Sequence, residues 1–444
     1  MSRPAKASHQ PAGPAREPAA EDRSLLAAAR LDQLVRAGSC DLHLHTTASD
    51  GTDSPEALVA RVRANRLRCF AVTDHDVLQS VAPITDLVAG DAGLVFVPGV
   101  EISVSENREL HLLAYFPLGG IEQLETFLEK QRQARHNRNL AMVEQLNQLG
   151  YAVTLEELVD KGQGVVGRMQ AAHILTERGY TRSVREAFDE VLGFGKPGYI
   201  ERPRPSLHEA IRQIRNCGGV PVLAHPALYR WCDERALVSP RLIHHLQDAR
   251  DKGLLGVEAF HGEASEAACL EVSAAALYLG LLRTCGSDDH GRNKTTTTMY
   301  SGTSHFLAGR EILVTGALVR DAQGRYLLAR RATDSHGRGQ WELPGGKVEA
   351  GESPAACLAR EIQEELGVAA EVGPLLHLLT HGYDGFRVVL AVFETTLASL
   401  EFTLTAHDQI DWKTASEALD LDLLAADVAL FAELAQLDAA PADL

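Results

Sequence analysis

Short apolar runs alternate with helical patterns from about residue 38 to residue 305. The runs are CDLHLH, RCFAVTDHD, GLVFVPGVEIS, ELHLLAYF, GVPVLAHP, GLLGVEAFH and LLRTCGSDDH. Buried strands joined by amphipathic helices are typical of an α/β fold with a largely parallel sheet or a barrel. A mainly helical stretch, about 121–215, interrupts the series. We therefore predict an α/β barrel that carries a helical insert.

A different pattern begins after the Thr-, Ser- and Gly-rich stretch 291–306, which we interpret as the end of the first domain and a linker. Two strand-like runs flank DAQG, which is a hairpin signal. The loop GKVEAGESP, a helix, further strands and a terminal helix near 416–436 follow, so we predict a second α/β domain over 310–436. Before the barrel, residues 1 to about 24 are rich in Pro and Ala, which predicts a disordered tail and then a lead-in helix up to residue 37.

Composition narrows the class of protein. A chain of 444 residues is long enough for two domains, and its formal net charge of -17 argues against a general binder of DNA or of membrane surfaces. The seven cysteines are scattered and form no C-x-x-C, which favours buried or free thiols over a disulfide framework. Because no secretory signal or membrane-length apolar run is present, we expect a cytoplasmic protein without a membrane partner.

The stretch DLHLHTTASDG places His43 and His45 two residues apart. Side chains alternate along a strand, so the two imidazoles lie on one face, where they can bind one metal ion. The other apolar runs also end in residue types that bind metals: Asp74, His75, Glu101, His111, His225, Asp288 and His290. The carboxyl ends of barrel strands meet at one mouth, which predicts a shared multinuclear site for Zn²⁺, Mn²⁺ or Fe²⁺.

Each of these residues alone has a simpler interpretation as a hydrogen-bonded strand end or a capping carboxylate. The repetition at strand after strand favours the metal site. Glu258 and His261 also follow a strand, and we interpret them as neighbours of the site.

This pattern resembles the PHP family of metal-dependent phosphoesterases over about 38–305, through DLHLHTTASDG, AVTDHD, VPGVEIS, LHLLAY, VLAHP and GSDDH. The resemblance implies a distorted (β/α)7 barrel and two or three divalent ions, Mn, Zn or Fe, held by nine side chains. By the resemblance these form three groups, with Glu101 shared by the first two: His43, His45 and Asp288; His111 and His225; and Asp50, His75 and His290.

The helical insert, with RQARHNR and VVGRMQAAHIL, most resembles the branch that removes the 3′-phosphate from nucleoside 3′,5′-bisphosphates and trims short RNA from its 5′ end. A substrate with two phosphates needs cations beyond the metals, and Arg supplies bidentate contacts. The candidates for this substrate binding are Arg135, Arg138 and Arg168, each of which could instead lie on a solvated helix face.

The second pattern starts at Gly346 and follows G-x5-E-x7-R-E-U-x-E-E-x-G-U, where U is apolar. Glu361, Glu364 and Glu365 are three and four residues apart, so they share one flank of a helix. Neighbouring carboxylates repel unless a divalent cation joins them, and hard oxygen ligands suit Mg²⁺ or Mn²⁺. Arg360 can pair with Glu364 across one turn. An ordinary acidic surface helix is the alternative to this metal site, but it does not account for the full pattern.

This pattern, with WELPGG before it, resembles the Nudix hydrolases over about 310–436, an α/β/α sandwich family that splits nucleoside diphosphates linked to another group. The resemblance implies that Glu361, Glu364 and Glu365 bind metal and that Glu352 assists catalysis, together with Glu361 and Glu364. The flanking sequences look most like MutT-type nucleoside triphosphate pyrophosphatases.

One position departs from that pattern. A further Glu is common about six residues before the tryptophan of the later strand; with Trp412 as that tryptophan, the position is Ala406. His407 or Asp408 is a possible substitute, and Tyr383 lies at a spacing seen in dinucleoside-polyphosphate hydrolases.

Together the two patterns predict a bifunctional metal-dependent hydrolase of nucleotides or short oligonucleotides. The barrel would remove phosphate from its substrate, and the second domain would hydrolyse a nucleoside triphosphate or related pyrophosphate. The alternative is a barrel that acts on a sugar phosphate or histidinol phosphate and is regulated by a second domain that senses nucleotides without cleaving them.

Overall fold

The computed structural model of the protein describes residues 19–161, 166–235, 237–294, 299, 310–332 and 337–439. Most of the predicted linker and the first 18 residues of the predicted tail lie outside these ranges.

One sheet of seven strands, arranged in chain order, forms the first domain. The strands are β1 (Cys40–Asp41), β2 (Cys69–Val72), β3 (Val95–Ser105), β4 (Glu109–Tyr115), β5 (Val220–Leu223), β6 (Gly256–His261) and β7 (Leu282–Gly286). Neighbours pair in parallel except that β4 is antiparallel to both β3 and β5. The backbone N–H of Leu42 donates to the carbonyl of Cys285 at 3.0 Å, which brings the two edges together. The sheet is therefore a nearly closed barrel, as the sequence predicts.

Helices cover the outside of this barrel and build the insert. They are α1 (Ala20–Arg36), α2 (Pro55–Ala64), α3 (Val81–Val88), α4 (Glu125–Gln148), α5 (Leu155–Lys161), α6 (Arg168–Glu177), α7 (Val184–Ala187), α8 (Leu207–Asn216), α9 (Pro240–Asp251) and α10 (Glu266–Leu279). Several begin at a serine whose hydroxyl accepts a backbone N–H, as Ser54 does from Ala57 and Ser265 from Ala268. Within the described residues, no helix is both long enough and apolar enough to cross a membrane.

Helix α1 begins earlier than the sequence predicts. The tail was expected to reach about residue 24, but the helix starts at Ala20. The hydroxyl of Ser24 is buried and donates to the carbonyl of Gly219 at 2.6 Å, and Arg23 donates to the carbonyl of Gly119 at 3.1 Å. These contacts hold the first turn of α1 against the barrel.

The insert is shorter than the predicted stretch 121–215. Its own apolar core includes Met142, Leu158, Leu175 and Leu192, which belong to α4, α5, α6 and a π-helical turn at Phe188–Leu192. Helix α8 instead packs against α1 and the barrel strands. Because the buried face of α8 belongs to the barrel core, the insert ends before α8 begins.

Two sheets of three strands form the second domain. Its elements are β8 (Arg310–Leu318), β9 (Tyr326–Arg331), β10 (Trp341–Glu342), α11 (Pro354–Leu366), β11 (Ala370–Tyr383), β12 (Phe386–Leu397), β13 (His407–Lys413), α12 (Ala415–Ala418) and α13 (Ala425–Ala439). The strand orders are β10-β9-β13 and β11-β12-β8, with α11 packed on β8 and β11 and with α13 also on β11. The turn predicted at DAQG forms, since the N–H of Gly324 donates to the carbonyl of Asp321 at 3.0 Å and Arg320 pairs with Tyr326 in an antiparallel bridge, but β8 and β9 then continue into different sheets. The predicted terminal helix is two helices, α12 and α13.

The two domains pack directly on each other. Helix α10 of the barrel lies against β11 and β12. The N–H of Val238 donates to the carbonyl of Leu378 at 2.7 Å, which adds a short barrel segment to the edge of β11. Arg283 forms an ion pair with Glu311, and both side chains are nearly buried. The apolar contacts and this pair make the two domains share one continuous core.

Candidate metal centres

The residues after β1 point in alternate directions, as strand geometry requires. Leu42 and Leu44 are fully buried in the core, whereas His43 and His45 face the barrel mouth with ring centroids 5.2 Å apart. The turn that follows is held by Asp74, which accepts hydrogen bonds from the N–H of Thr46, the hydroxyl of Ser49 and the hydroxyl of Ser80. Asp74 therefore supports the loop and is not part of the groups that could hold a metal.

Glu101 lies at the centre of the mouth and is almost fully buried. Five imidazoles surround its two carboxylate oxygens, at distances of 2.8 to 3.3 Å: His43, His45 and His75 at Oε2, and His111 and His225 at Oε1. Asp288 lies opposite, with its Oδ1 at 3.3 Å from His43 Nε2 and 3.2 Å from His45 Nε2.

All nine side chains that the resemblance implies meet at this mouth. Three overlapping groups have ligand atoms close enough to hold an ion: His43, His45, Glu101 and Asp288; His75, Glu101 and His111; and His45, Asp50, His75 and His290. The first group is the one that the resemblance implies. The other two groups differ from those implied. His75 belongs to both of them, and His225 is absent from the second, which it approaches only by its 3.3 Å distance to Glu101.

Several buried donor and acceptor atoms at the mouth have no hydrogen-bond partner among the described residues. They are His43 Nε2, His45 Nε2, Asp50 Oδ1, His75 Nδ1 and Glu101 Oε2. A buried polar atom is costly unless a hydrogen bond or an ion satisfies it. These atoms face one another, and a mixed set of imidazole nitrogens and carboxylate oxygens suits Mn²⁺, Zn²⁺ or Fe²⁺. The mouth therefore fits the divalent ions expected for it.

Charge in the site favours ionised carboxylates. Burial opposes ionisation of Glu101, but the imidazoles of His75, His111 and His43 outweigh it and hold the pKa of Glu101 well below its usual range. Burial lowers the pKa of His75 to about 4, against the opposing effect of Glu101. Burial opposes protonation of His43, His45 and His111, but the neighbouring carboxylates outweigh it and raise the pKa of all three, so these imidazoles must release their protons when a metal binds.

A further layer of side chains holds the ligands in place. Glu258 is fully buried; its Oε1 lies 3.0 Å from His43 Nδ1, and its Oε2 accepts the N–H of His225 at 2.8 Å. His261 Nε2 lies 3.5 Å from Asp288 Oδ2, so Glu258 and His261 are the neighbours that the sequence predicts. Lys294, which the sequence analysis did not select, donates to Asp288 at 2.6 Å.

A cavity of about 950 Å³ opens onto the mouth, and one wall of it carries arginines. The three predicted arginines line it, together with Arg202 and Arg204, which sequence reasoning missed: Arg135, Arg138 and Arg168. The motif ERPRP directly after the insert is the signal that could have found the missed pair.

These arginines differ in whether a carboxylate pairs with them. Asp76 pairs with Arg135 at 2.5 Å and with Arg202 at 3.1 Å. Glu109 pairs with Arg168 at 3.4 Å and with Arg204 at 2.7 Å. Arg138 has no carboxylate partner among the described residues, and its buried Nε is unsatisfied. Burial and the neighbouring guanidinium groups lower the pKa of Arg138 to about 9, so an anion in the cavity would be strongly favoured there.

The acidic helix of the second domain, α11, is organised around Arg360. Its guanidinium bonds Glu352 at 2.8 Å, Glu361 at 2.9 Å and Glu364 at 3.2 Å. Glu365 is mostly buried and instead accepts the N–H of Gly345 at 3.3 Å. The predicted Arg360–Glu364 pair is present. Within the described part of the second domain, no three ligand atoms lie close enough together to hold an ion.

The glycines of the loop before α11 are required by space. A Cβ on Gly346 would lie 2.2 Å from Glu361 Cδ, and a Cβ on Gly345 would lie 2.1 Å from the carbonyl oxygen of Thr315. The loop backbone therefore lies directly against the acidic flank of α11. The donor set, three carboxylates on one flank, fits Mg²⁺ or Mn²⁺ by chemistry, and Arg360 holds two of the three in place.

The two candidate substitutes for the carboxylate absent at Ala406, His407 and Asp408, lie in different surroundings. His407 is buried, with Nε2 3.0 Å from Glu342 Oε1 and Nδ1 3.9 Å from Glu365 Oε2. Its Nδ1 has no hydrogen-bond partner among the described residues. Asp408 accepts a hydrogen bond from Arg330 at 2.7 Å and is partly exposed. Of the two possible substitutes, His407 is the one that faces Glu365.

A buried carboxyl group beside Glu342 in the second domain was not predicted from the sequence. Asp427, in the first turn of α13, is fully buried, and its Oδ1 accepts the N–H of Leu343 at 3.4 Å. Burial and the neighbouring Glu342 raise its pKa to about 8. Tyr383, which the sequence singled out, stacks on Phe386 with ring centroids 5.0 Å apart. The spacing of Asp427 in the sequence carries no signal that separates it from an ordinary helix start.

Comparison with known proteins agrees with this division of the chain. Residues 41–201 match the PHP domain, and residues 311–434 match the NUDIX domain. The chain is 36% identical over 217 residues to the 5′-3′ exoribonuclease Rnm of Escherichia coli, covering 46% of this chain and 72% of that protein. It is 30% identical over 253 residues to the 3′,5′-nucleoside bisphosphate phosphatase of Chromobacterium violaceum, covering 56% and 86%. It is 35% identical over 130 residues to the CTP pyrophosphohydrolase of Escherichia coli, covering 29% and 95%.

Proposed function

Because the chain belongs to the PHP family through its first domain and to the Nudix family through its second, we propose that it is a bifunctional hydrolase of nucleotides. The barrel removes the 3′-phosphate of nucleoside 3′,5′-bisphosphates and acts on the 5′ ends of short RNA. The second domain hydrolyses a nucleoside triphosphate or a related pyrophosphate. The activities for which the three relatives are named support these substrate classes.

One observation carries the assignment of the barrel: a group of metal-ligand side chains and a wall of arginines line the same cavity. A substrate with one phosphate needs only the first of these features. A substrate with a second phosphate also needs fixed cations, and Arg138 is a buried guanidinium of this wall without a carboxylate partner among the described residues. The arginine wall therefore favours a nucleoside bisphosphate over the alternatives, a sugar phosphate or histidinol phosphate.

The chemistry of the barrel follows from the donors around Glu101. Divalent ions, when bound, supply a water activated for attack and offset the negative charge of the phosphate. Glu258 fixes the ring of His43 through Nδ1 and the backbone of His225, so both imidazoles stay directed at the mouth. Lys294 keeps Asp288 oriented at a distance of 2.6 Å. Arg138 and its neighbours hold the second phosphate and so fix the position of the first.

In the second domain we propose that Glu361, Glu364 and Glu365 hold the metal and that Glu352 assists. Arg360 keeps Glu361 and Glu364 on one side of α11, where these two carboxylates would hold a divalent ion that offsets the negative charge of the substrate. His407 supplies the side chain opposite Glu365 that a glutamate supplies in the MutT-type pattern.

A second candidate function, a nucleotide sensor, is supported by Ala406 and by the carboxylates held apart around Arg360. A hydrolase and a sensor differ in whether the second domain cleaves the nucleotide that it binds. The full chain should hydrolyse a nucleoside triphosphate, and this activity should vanish in Glu364→Gln. Tight nucleotide binding without hydrolysis by the unaltered chain would favour the sensor.

The barrel is tested by phosphate release from a nucleoside 3′,5′-bisphosphate and by the shortening of a 5′-phosphorylated RNA, with the full chain in Mn²⁺. Asp288→Asn should abolish both, because Asp288 faces His43 and His45. Glu364→Gln serves as the matched control, since it should leave both barrel activities unchanged. Release of phosphate from a sugar phosphate alone would contradict the assignment.

A further inference from the structure

A second cavity, of about 580 Å³, lies beside the metal mouth. It is bounded by the hairpin between β3 and β4, by helix α9, and by the turn Pro226–Tyr229 that follows His225. Leu228 lines the first cavity, whereas Tyr229 lines the second. The two cavities are therefore neighbours on either side of a single short turn.

The lining of this second cavity is basic in an otherwise acidic chain. Four cationic side chains line it, together with the two carboxylates of Glu106 and Asp248: Arg108, Arg230, Arg241 and Lys252. Both carboxylates are paired with Lys252, at 2.6 and 2.7 Å. The guanidinium of Arg230 is exposed and has no ion pair or hydrogen bond to any side chain that the structure describes. Arg241 pairs with Asp233 at 3.5 Å, so Arg108 and Arg230 are the lining cations without a carboxylate partner among the described residues, and their positive charge remains for an anion.

An imidazole in the same wall is positioned for stacking. The ring of His245 lies parallel to that of Trp231, with centroids 4.2 Å apart and an angle of 22°. Trp231 is buried and holds the ring of His245 by stacking, and both rings line the cavity. A flat ring beside cations suits a nucleotide, whose base stacks and whose phosphate needs positive charge.

The second cavity connects to the metal ligands through Tyr229. The hydroxyl of Tyr229 accepts the N–H of His111 at 2.8 Å, and its ring lies 5.4 Å from that of His225. Both of these imidazoles approach Glu101 Oε1. Leu228 and Tyr229 are adjacent in the turn between the two cavities, so a strand that leaves the metals and crosses this turn would enter the second cavity.

We propose that this second cavity binds the nucleotide on the 3′ side of the scissile phosphate, so that the barrel is built for single-stranded RNA. The inference rests on the proposed function of the barrel. Water adds to the phosphorus, the bond from phosphorus to the 3′ oxygen of the first nucleotide breaks, and that oxygen takes a proton. The remainder keeps the phosphate as its new 5′ phosphate. The same bond breaks when a 3′-phosphate is removed, so one site serves both substrates.

The experiment compares two substrates with the full chain in Mn²⁺: a nucleoside 3′,5′-bisphosphate and a 5′-phosphorylated trinucleotide RNA. Arg230→Asn is the first variant, because Arg230 has a φ of 59°, which Asn tolerates. His245→Ala is the second. Each should lower kcat/KM for the trinucleotide about tenfold and leave the value for the bisphosphate within about twofold. Arg230→Asn should also reduce the salt dependence of trinucleotide binding by about one ion.

Arg250→Gln is the matched control, since Arg250 lies on the same helix, α9, but pairs with Asp251 and does not line the cavity. Equal losses on both substrates, or none on the trinucleotide, would overturn the inference. If the unaltered chain hydrolyses the bisphosphate but not the RNA, this inference fails while the phosphatase assignment stands. If it hydrolyses neither, the proposed function of the barrel fails as well.

Discussion

Glu258→Gln tests a residue that holds metal ligands in place but is not itself one of the predicted ligands. The carboxylate of Glu258 is fully buried and serves two donors, His43 Nδ1 at 3.0 Å and the N–H of His225 at 2.8 Å. A glutamine has the same shape but offers one oxygen and one NH₂ group. One of the two donors must then face another donor, and the negative charge that holds the imidazole is lost.

The magnitude follows from these contacts. A buried donor left unsatisfied costs about 1–3 kcal/mol. Removal of a residue that orients a metal ligand typically lowers metal affinity or activity about 10- to 100-fold. We therefore expect Glu258→Gln to bind the metals of the barrel about 10- to 100-fold more weakly and to need correspondingly more Mn²⁺ for half-maximal phosphate release. Excess Mn²⁺ should restore much of the activity, because the ligands remain.

Competition with a chelator, followed by metal analysis of the dialysed chain, measures this affinity. Glu271→Gln is the matched control. Glu271 is an equally buried carboxylate, but it accepts backbone N–H groups of Asp233, Glu234 and Ser239 and contacts no metal ligand. It should lower thermal stability without changing metal affinity. If Glu258→Gln retains the metals as tightly as the unaltered chain, or if both variants lose them equally, the reasoning is wrong.

Three further predictions test other parts of the chain. Arg138→Gln should raise KM for a nucleoside 3′,5′-bisphosphate about tenfold with little change in kcat, whereas Arg185→Gln, at a side chain that is 91% exposed, should change neither in steady-state assays. His407→Ala should lower nucleoside triphosphate hydrolysis at least tenfold, and His407→Glu should restore part of it. Phosphate release by the barrel should stay constant in both variants. An unchanged rate of triphosphate hydrolysis in His407→Ala would exclude a role of His407 in this reaction. Asp427 has a pKa of about 8 in the folded chain against an ordinary value of 3.8, so the folded state holds this proton more tightly than the unfolded state does. The unaltered chain therefore loses stability as the pH rises from about 4 to about 8, with no further loss above pH 8. Asp427→Asn should therefore gain in melting temperature relative to the unaltered chain between pH 5 and pH 8.5, and a pH-independent difference would contradict the burial of this carboxyl.

The sequence by itself determined which elements form and which residue types they carry to the mouth. Alternation along a strand puts His43 and His45 on one face, whatever the rest of the chain does, because successive side chains of a strand point to opposite sides. Helical spacing likewise puts Glu361, Glu364 and Glu365 on one flank of α11. These are properties of one element, so local order was enough to predict them.

Only the tertiary structure decided how separate elements combine. Asp74 and His75 are adjacent in sequence, yet Asp74 binds a loop and His75 faces two metal positions, because the turn after β2 sends them in opposite directions. Arg202 joins the arginine wall through Asp76, a partner 126 residues away. No local pattern encodes such a pairing.

Contacts between distant residues also decided which side chain lies near Glu365 in the second domain and where the insert ends. The sequence left two neighbours, His407 and Asp408, as possible substitutes for the carboxylate absent at Ala406. In the structure His407 is buried and Asp408 is partly exposed, at an irregularity in the pairing of β13 with β9. Helix α8 reads as part of a continuous helical stretch, but its apolar face packs on the barrel and not on the insert. Periodicity states that a face will be buried; which surface buries it depends on contacts between distant residues, and these exist only once the chain has folded.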